Sequence, residues 1–307
     1  MADFQGIIVI HKEKGFTSHD VVGKLRGILR QKKIGHTGTL DPDAEGVLPV
    51  CLGKATKLCD LLTDKEKTYR AVLLLGKTTD TQDVSGTVLS EAPVTAEEAK
   101  VREAILSFVG DYDQIPPMYS ALKVNGQKLC DLARAGKEVE RKPRRVTIRE
   151  IRIEKIDLPR VTMEVTCSKG TYIRSLCADI GGKLGCGGTM QSLVRTRVGE
   201  FRLTDALTLT QLQELRDTGR LEEALLPTDR IFADFNAVHV EEKWRKLIDN
   251  GNAFYPGQTM EQTTYPAGEW VRVYREDDSF VGIYVYDETK EWYKPVKIFP
   301  SNTESRK

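Results

Sequence analysis

The sequence predicts an α+β fold followed by a small β-rich appendage. Three observations carry that expectation. Strand-like and helix-like stretches are interleaved without the regular strand–helix–strand rhythm of a doubly wound sheet. Residues 146–153 and 161–167 alternate apolar and polar side chains, as long half-buried strands do. Near residue 235 the composition shifts, and residues 235–299 hold 13 of the chain's 22 aromatic side chains, including all three tryptophans.

The elements follow in order. Residues 6–10 are an apolar run, and His11-Lys12-Glu13-Lys14-Gly15 reads as a strand leaving into a turn. Ser18 and Asp20 offer caps for a helix with Val21, Val22, Leu25, Ile28 and Leu29 on its apolar face. A polar, glycine-rich stretch spans residues 32–46, and residues 69–75 form a buried strand closed by Gly76. Thr95 and Glu98 have capping-box spacing before Val101, Ala104, Ile105 and Phe108, with Gly110 as the stop. The alternation of residues 146–153 slips near Glu150, which predicts a bulge. Val161, Met163, Val165 and Cys167 alternate cleanly, and after Gly170 a helix shows Ile173, Leu176, Cys177, Ile180 and Leu184 on one side. Residues 270–274 and 280–286 flank Arg275-Glu276-Asp277-Asp278, a hairpin signal. The last eight residues, PSNTESRK, read as a loose tail.

Composition excludes several classes. With 307 residues, 40% of them hydrophobic, the chain is long enough for two cores and too apolar for global disorder. No apolar run approaches the roughly 18–20 residues of a membrane span, and the start, MADFQGIIVIHKEKG, has no signal-peptide pattern. The six cysteines, at 51, 59, 130, 167, 177 and 186, include no C-x-x-C pair, so reduced structural thiols are expected rather than zinc or disulfides. A soluble, cytoplasmic protein is the expectation. The 46 basic and 45 acidic residues leave a net charge of +1, which argues against a uniformly basic nucleic-acid binder.

Chemistry concentrates in residues 35–49. Asp41, Asp43, Glu45 and Gly46 imitate the start of a calcium loop, but Pro42 and Leu52 occupy positions that require other residues. Gly53-Lys54 imitates a phosphate loop, but Ala55 replaces the hydroxyl residue. What remains is Asp41, set between Leu40 and Pro42. Pro42 biases it to extended backbone angles, and the flanking glycines admit close approach of another molecule. Such a carboxylate can serve as nucleophile or base, or can simply cap its own turn.

The run KIGHTGTLDPDAEGVLPVCLGKATK resembles the signature of the TruB family of tRNA pseudouridine synthases. Further matches follow in order: Lys67-Thr68-Tyr69, Thr79-Asp80-Thr81 with Asp83, IPPMYSA from Ile115, and CSKGTYIRSL from Cys167. The resemblance covers about residues 5–230. It implies a pseudouridine synthase fold with a mixed or antiparallel central sheet and a clamp-like insertion near residues 112–145, within a catalytic domain of residues 1–234. A PUA-like β-barrel over residues 235–299 is implied more weakly.

The implied reaction isomerises uridine 55 in the T-arm of tRNA, with no redox or group transfer and hence no cofactor. The family's nucleophile falls on Asp41, where a carboxylate can form a covalent adduct and stabilise an oxocarbenium-like ribose. Arg174 matches the arginine that pairs with it, and Tyr69 the tyrosine that stacks on the target base. The target uridine must leave its stack, at a cost of a few kcal/mol. His36 matches the residue that fills the vacated space, and Tyr172 and Leu193 match further pocket positions.

Local charge fits an RNA partner. Residues 141–152, RKPRRVTIREIR, carry six positive charges against one negative. Arg144 and Arg145 are candidate phosphate contacts, as is Lys123 of the insertion. Lys12, Lys14, Lys24, Arg26, Arg30, Lys32 and Lys33 add further basic residues. A solvated basic edge strand is the plain alternative for residues 141–152. The expectation is a stand-alone monomer acting on tRNA. The alternatives are a non-catalytic RNA-binding or RNA-folding protein, and a guide-RNA-dependent synthase acting on other RNAs.

Overall fold

A computed structural model describes residues 4–299, so the expected tail lies outside the described residues. The chain opens with β1 (Gly6–Lys12), α1 (Ser18–Leu29), β2 (Ile34–His36) and β3 (Glu45–Leu52). Then come α2 (Cys59–Thr63), β4 (Lys67–Leu75), the hairpin β5 (Lys77–Thr79) and β6 (Val88–Glu91), α3 (Glu98–Leu106) and β7 (Gly110–Gln114). An excursion holds β8 (Lys123–Val124), β9 (Gln127–Lys128) and α4 (Leu129–Arg134). The chain returns through β10 (Arg144–Asp157), β11 (Arg160–Cys167), α5 (Ile173–Leu184), β12 (Gly188–Val198), β13 (Phe201–Arg202) and α6 (Leu209–Asp217). Last come β14 (Ala237–Val240), α7 (Arg245–Asp249), β15 (Trp270–Arg275), β16 (Phe280–Asp287) and β17 (Trp292–Ile298).

Nine strands form one sheet along the path β1-β3-β12-β4-β11-β10-β7, with β2 and β13 attached at its side. Pairing is antiparallel except between β3 and β12. Residues 7–10 of β1 are all apolar because both faces of the strand are covered. Ile8 and Ile10 pack under α1 and α6, while Ile7 and Val9 join Val47, Cys51 and Phe232 on the other side. The clean alternation of β11 puts Val161, Met163, Val165 and Cys167 fully inside, against α3 and α5. The bulge near Glu150 is present as a register slip between Ile148 and Glu150.

The C-terminal strands form a separate sheet, β14-β15-β16-β17. Residues 254–260 bridge its two outer strands. Phe254 exchanges backbone hydrogen bonds with Tyr293, and Met260 N–H donates to His239 at 2.8 Å, which closes the sheet into a small barrel. Phe254, Tyr284 and Tyr293 fill its interior.

Several local expectations are corrected. α1 is capped by Thr17, whose hydroxyl accepts from Asp20 N–H at 3.0 Å while Asp20 accepts from Thr17 N–H at 2.8 Å. Ser18 turns inward instead. α3 begins at Glu98 with Glu97 as its uncapped N-cap, two residues past Thr95, and ends near Ser107. Gly110, at φ 107°, opens β7 rather than ending the helix. The stretch read as polar and glycine-rich contains β2, and β3 and β12 were not anticipated. β3 carries Pro49, and β12 is broken by two register irregularities, so neither shows a clean period of two.

Candidate active site

Residues 37–44, between β2 and β3, carry Asp41 and are held from several sides. Thr37, fully buried, donates to the Pro49 carbonyl from N–H at 3.1 Å and from its hydroxyl at 3.2 Å. Leu40 N–H donates to the inward-turned Ser18 hydroxyl at 2.9 Å. Fully buried Lys12 donates from Nζ to the carbonyls of Pro42 at 3.1 Å and Ala44 at 2.6 Å. From the other side, Arg195 on β12 donates to Val47 at 2.7 Å and Gly38 at 3.2 Å. Gly46, at φ 110°, permits that approach, since a Cβ there would stand 2.2 Å from the Arg195 carbonyl oxygen.

The Asp41 carboxylate meets Arg174 at two points. Nε lies 3.0 Å from Oδ2, and Nη2 lies 3.3 Å from Oδ1. All the guanidinium donors are used, because Arg174 also reaches the Thr81 carbonyl at 3.1 Å, Asp83 at 3.5 Å and the Tyr119 carbonyl at 2.9 Å. The arginine side chain is 6% exposed, whereas that of Asp41 is 41% exposed, so the pair is anchored from the arginine side and open on the carboxylate side. A cation in the first turn of α5 opposes the helix dipole, and the two carboxylates offset it. Burial pushes the Asp41 carboxyl above the ordinary carboxylate range, Arg174 pulls it back down, and Asp83 pushes it up again.

Tyr69 on β4 lies opposite Arg195 on β12, and Leu193 lies opposite Ala71. Both belong to the apolar cluster that contains Leu40 and Ile173, and Tyr69 lies close enough to Asp41 for the carboxylate to act on its phenol. Burial raises the Tyr69 phenol and keeps it neutral. Tyr172, the N-cap residue of α5, is half-buried. His36 on β2 packs edge-on against His19 at 6.3 Å, with Nδ1 buried and unpartnered among the described residues. Burial lowers its pKa, with help from His19 and Arg195.

Comparison with known proteins gives this arrangement its context. The family model described as TruB family pseudouridylate synthase, N-terminal domain, matches residues 26–173, and the tRNA pseudouridylate synthase B C-terminal domain matches residues 174–233. The chain belongs to the TruB family. A tRNA pseudouridine synthase B of Lachnoclostridium phytofermentans is 55% identical, the match covering 96% of this chain and 99% of that one. The protein of the same name from Alkaliphilus oremlandii is 47% identical over 95% of this chain and 97% of its own. Among solved structures, an H/ACA RNP bound to a substrate RNA containing 2'-deoxyuridine aligns with TM-score 0.71 at 24% identity, covering 96% of this chain and 84% of that chain, and shows the shared fold. A Cbf5-Nop10-Gar1 complex aligns with TM-score 0.69 at 27% identity over 97% of this chain and 84% of that chain.

The charge run seen in this TruB-family sequence is largely neutralised in space. Arg145 makes a two-point ion pair with Asp113 across the strands, at 2.7 and 3.0 Å. Arg149 meets Glu66 at 3.6 Å, Arg152 meets Glu164 at 3.0 Å, and Arg141 meets Glu138 at 3.4 Å. Residues 144–148 pair with β7, while pairing with β11 begins at Ile148, so β10 has strands on both sides only at Ile148. Successive strand residues point to opposite faces. Arg144 has no partner among the described residues, is exposed, and lies close enough to Tyr172 to offset part of the rise that burial causes in its phenol pKa. Lys123 is exposed on the β8–β9 hairpin.

Lys12, which the sequence groups with the basic residues that fit an RNA partner, is instead buried under the Asp41 loop. Sequence reading also missed Ser18, Gln114 and Arg195 as parts of the site. A lysine closing an apolar run in GIIVIHK was the available signal for Lys12. Arg195 carried none, because its burial depends on β3 lying alongside β12.

Proposed function

We propose that the chain isomerises uridine 55 of the tRNA T-arm to pseudouridine, with Asp41 as the nucleophile. The near full-length relatives named tRNA pseudouridine synthase B support the reaction and the tRNA substrate. The observation that carries the catalytic assignment is the two-point Asp41–Arg174 pair, with Tyr69 near its carboxylate. The reaction breaks the N1–C1′ bond, turns the uracil and joins C5 to C1′. C5 gives up its proton and N1 gains one, so the product is an isomer and no cofactor is required.

In this reading Arg174 keeps the carboxylate ionised and aimed. Tyr69 stacks on the extruded base, Tyr172 and Leu193 bound its pocket, and His36 takes the space the base leaves. Lys123 and Arg144 contact phosphates, and Arg145 does so only at the expense of its Asp113 pair. The same reading divides the chain into a catalytic domain of residues 1–234, with an RNA-clamping insertion near 112–145, and an RNA-contact barrel of residues 235–299. It makes the enzyme a cytoplasmic monomer that needs no protein partner.

Release of tritium from T-arm RNA labelled at uridine C5 tests the mechanism. Wild type releases it stoichiometrically, and Asp41→Asn releases none. A silent wild type, or undiminished release from the variant, removes the assignment.

A further inference from the structure

We propose that Gln114 is a positioning residue, which locks the start of α5 to the root of the insertion and so sets Tyr172 and Arg174 in place. The inference rests on the reaction proposed above and adds a residue to it. Gln114 ends β7 and is 1% exposed. Its side-chain amide pairs with the Tyr172 backbone as a strand would: Oε1 accepts from Tyr172 N–H at 2.8 Å, and Nε2 donates to the Tyr172 carbonyl at 3.0 Å. The backbone N–H can only donate, which fixes which end of the amide is oxygen. The second Nε2 hydrogen goes to the Tyr112 hydroxyl, so both amide hydrogens are used.

A neutral amide meets a backbone N–H and C=O together, whereas an ionised carboxylate can only accept. Glutamate would keep the acceptor, but would put a second acceptor against the Tyr172 carbonyl. The neighbouring chain reinforces the grip, because the Tyr119 carbonyl accepts from Arg174 Nη2 at 2.9 Å and Arg141 holds the Pro116 carbonyl at 3.2 Å. Residues 114–119 therefore hold the first turn of α5 at two points just where the chain departs for β8. Arg144, opposite Gln114 in the β7–β10 register, lies where the chain returns. Seating of the insertion on RNA and placement of the residues that face the base are thereby mechanically one event. A misplacement of about 1 Å can cost a hundredfold in rate.

The test uses Gln114→Glu and Gln114→Ala in the full-length enzyme, with two readouts. Single-turnover pseudouridine formation at saturating enzyme is expected to fall 10- to 100-fold, with RNA Kd within threefold of wild type. Hydrogen exchange of the Tyr172 amide is expected to accelerate at least tenfold, while amides of β11 keep their protection. Equal loss of RNA affinity and thermal stability with an unchanged single-turnover rate would mark Gln114 as merely structural. Unchanged Tyr172 exchange would overturn the lock itself. If the wild type makes no pseudouridine, the reaction assignment fails, while the exchange result still decides the lock.

Discussion

At the residue scale the decisive interaction is the one between Asp41 and Arg174. Burial raises the carboxyl pKa and the guanidinium lowers it, and in the proposed mechanism the ionised form is the competent one. Activity therefore declines as pH falls through a pKa above the ordinary value of about 4. Arg174→Met removes the downward pull, so the acid limb of kcat/KM moves to higher pH. An unmoved limb in the variant, or a wild-type limb below pH 4, contradicts this account. Arg144 and Arg145 differ for an equally local reason, since among the described residues one is unpaired and the other is tied to Asp113. Arg144→Glu should weaken RNA binding and reduce its salt slope by about one. Arg145→Glu should do less, and equal slopes would show that the Asp113 pair is not what distinguishes them.

At the scale of elements, the Asp41 loop is shaped by groups on three others: Ser18 at the start of α1, Lys12 at the end of β1 and Arg195 on β12. Losing Lys12 leaves buried carbonyls unpaired, at about 1–3 kcal/mol for each, although the desolvation that lowers the lysine pKa is relieved at the same time. Lys12→Met is expected to retain the fold, with urea denaturation showing less than about 3 kcal/mol lost, and to reduce turnover at least tenfold. Full turnover in this variant would show that the loop holds its shape without the lysine. Here the sequence was informative in part. The periodicity of β11 and α5 located both elements, because each buries a single face at its own period. β3 and β12 were missed because burial on both faces, a proline and register slips erase that periodicity.

For the whole molecule, the boundary read near residue 235 coincides with a shared core as well as a change of sheet. Phe232, 3% exposed, packs in one cluster with Ile7 and Val9 of the large sheet and with Ile283 and Phe299 of the barrel region. Phe232→Ala should cost about 3–5 kcal/mol, and thermal unfolding of the wild type should be a single transition. Two separated transitions would show that the barrel is an independent unit. The sequence by itself determined the fold class, the aromatic-rich C-terminal sheet and the family, and it singled out Asp41, Tyr69 and Arg174. Those signals lie in local periodicity and in motif runs of a few residues. Only the tertiary structure decided which charges remain available. Four of the six positive charges of residues 141–152 meet acids, up to 83 residues away in the chain, as Arg149 meets Glu66. A charge's worth to a ligand depends on its neighbours in space, and strand pairing brings those neighbours from distant parts of the sequence.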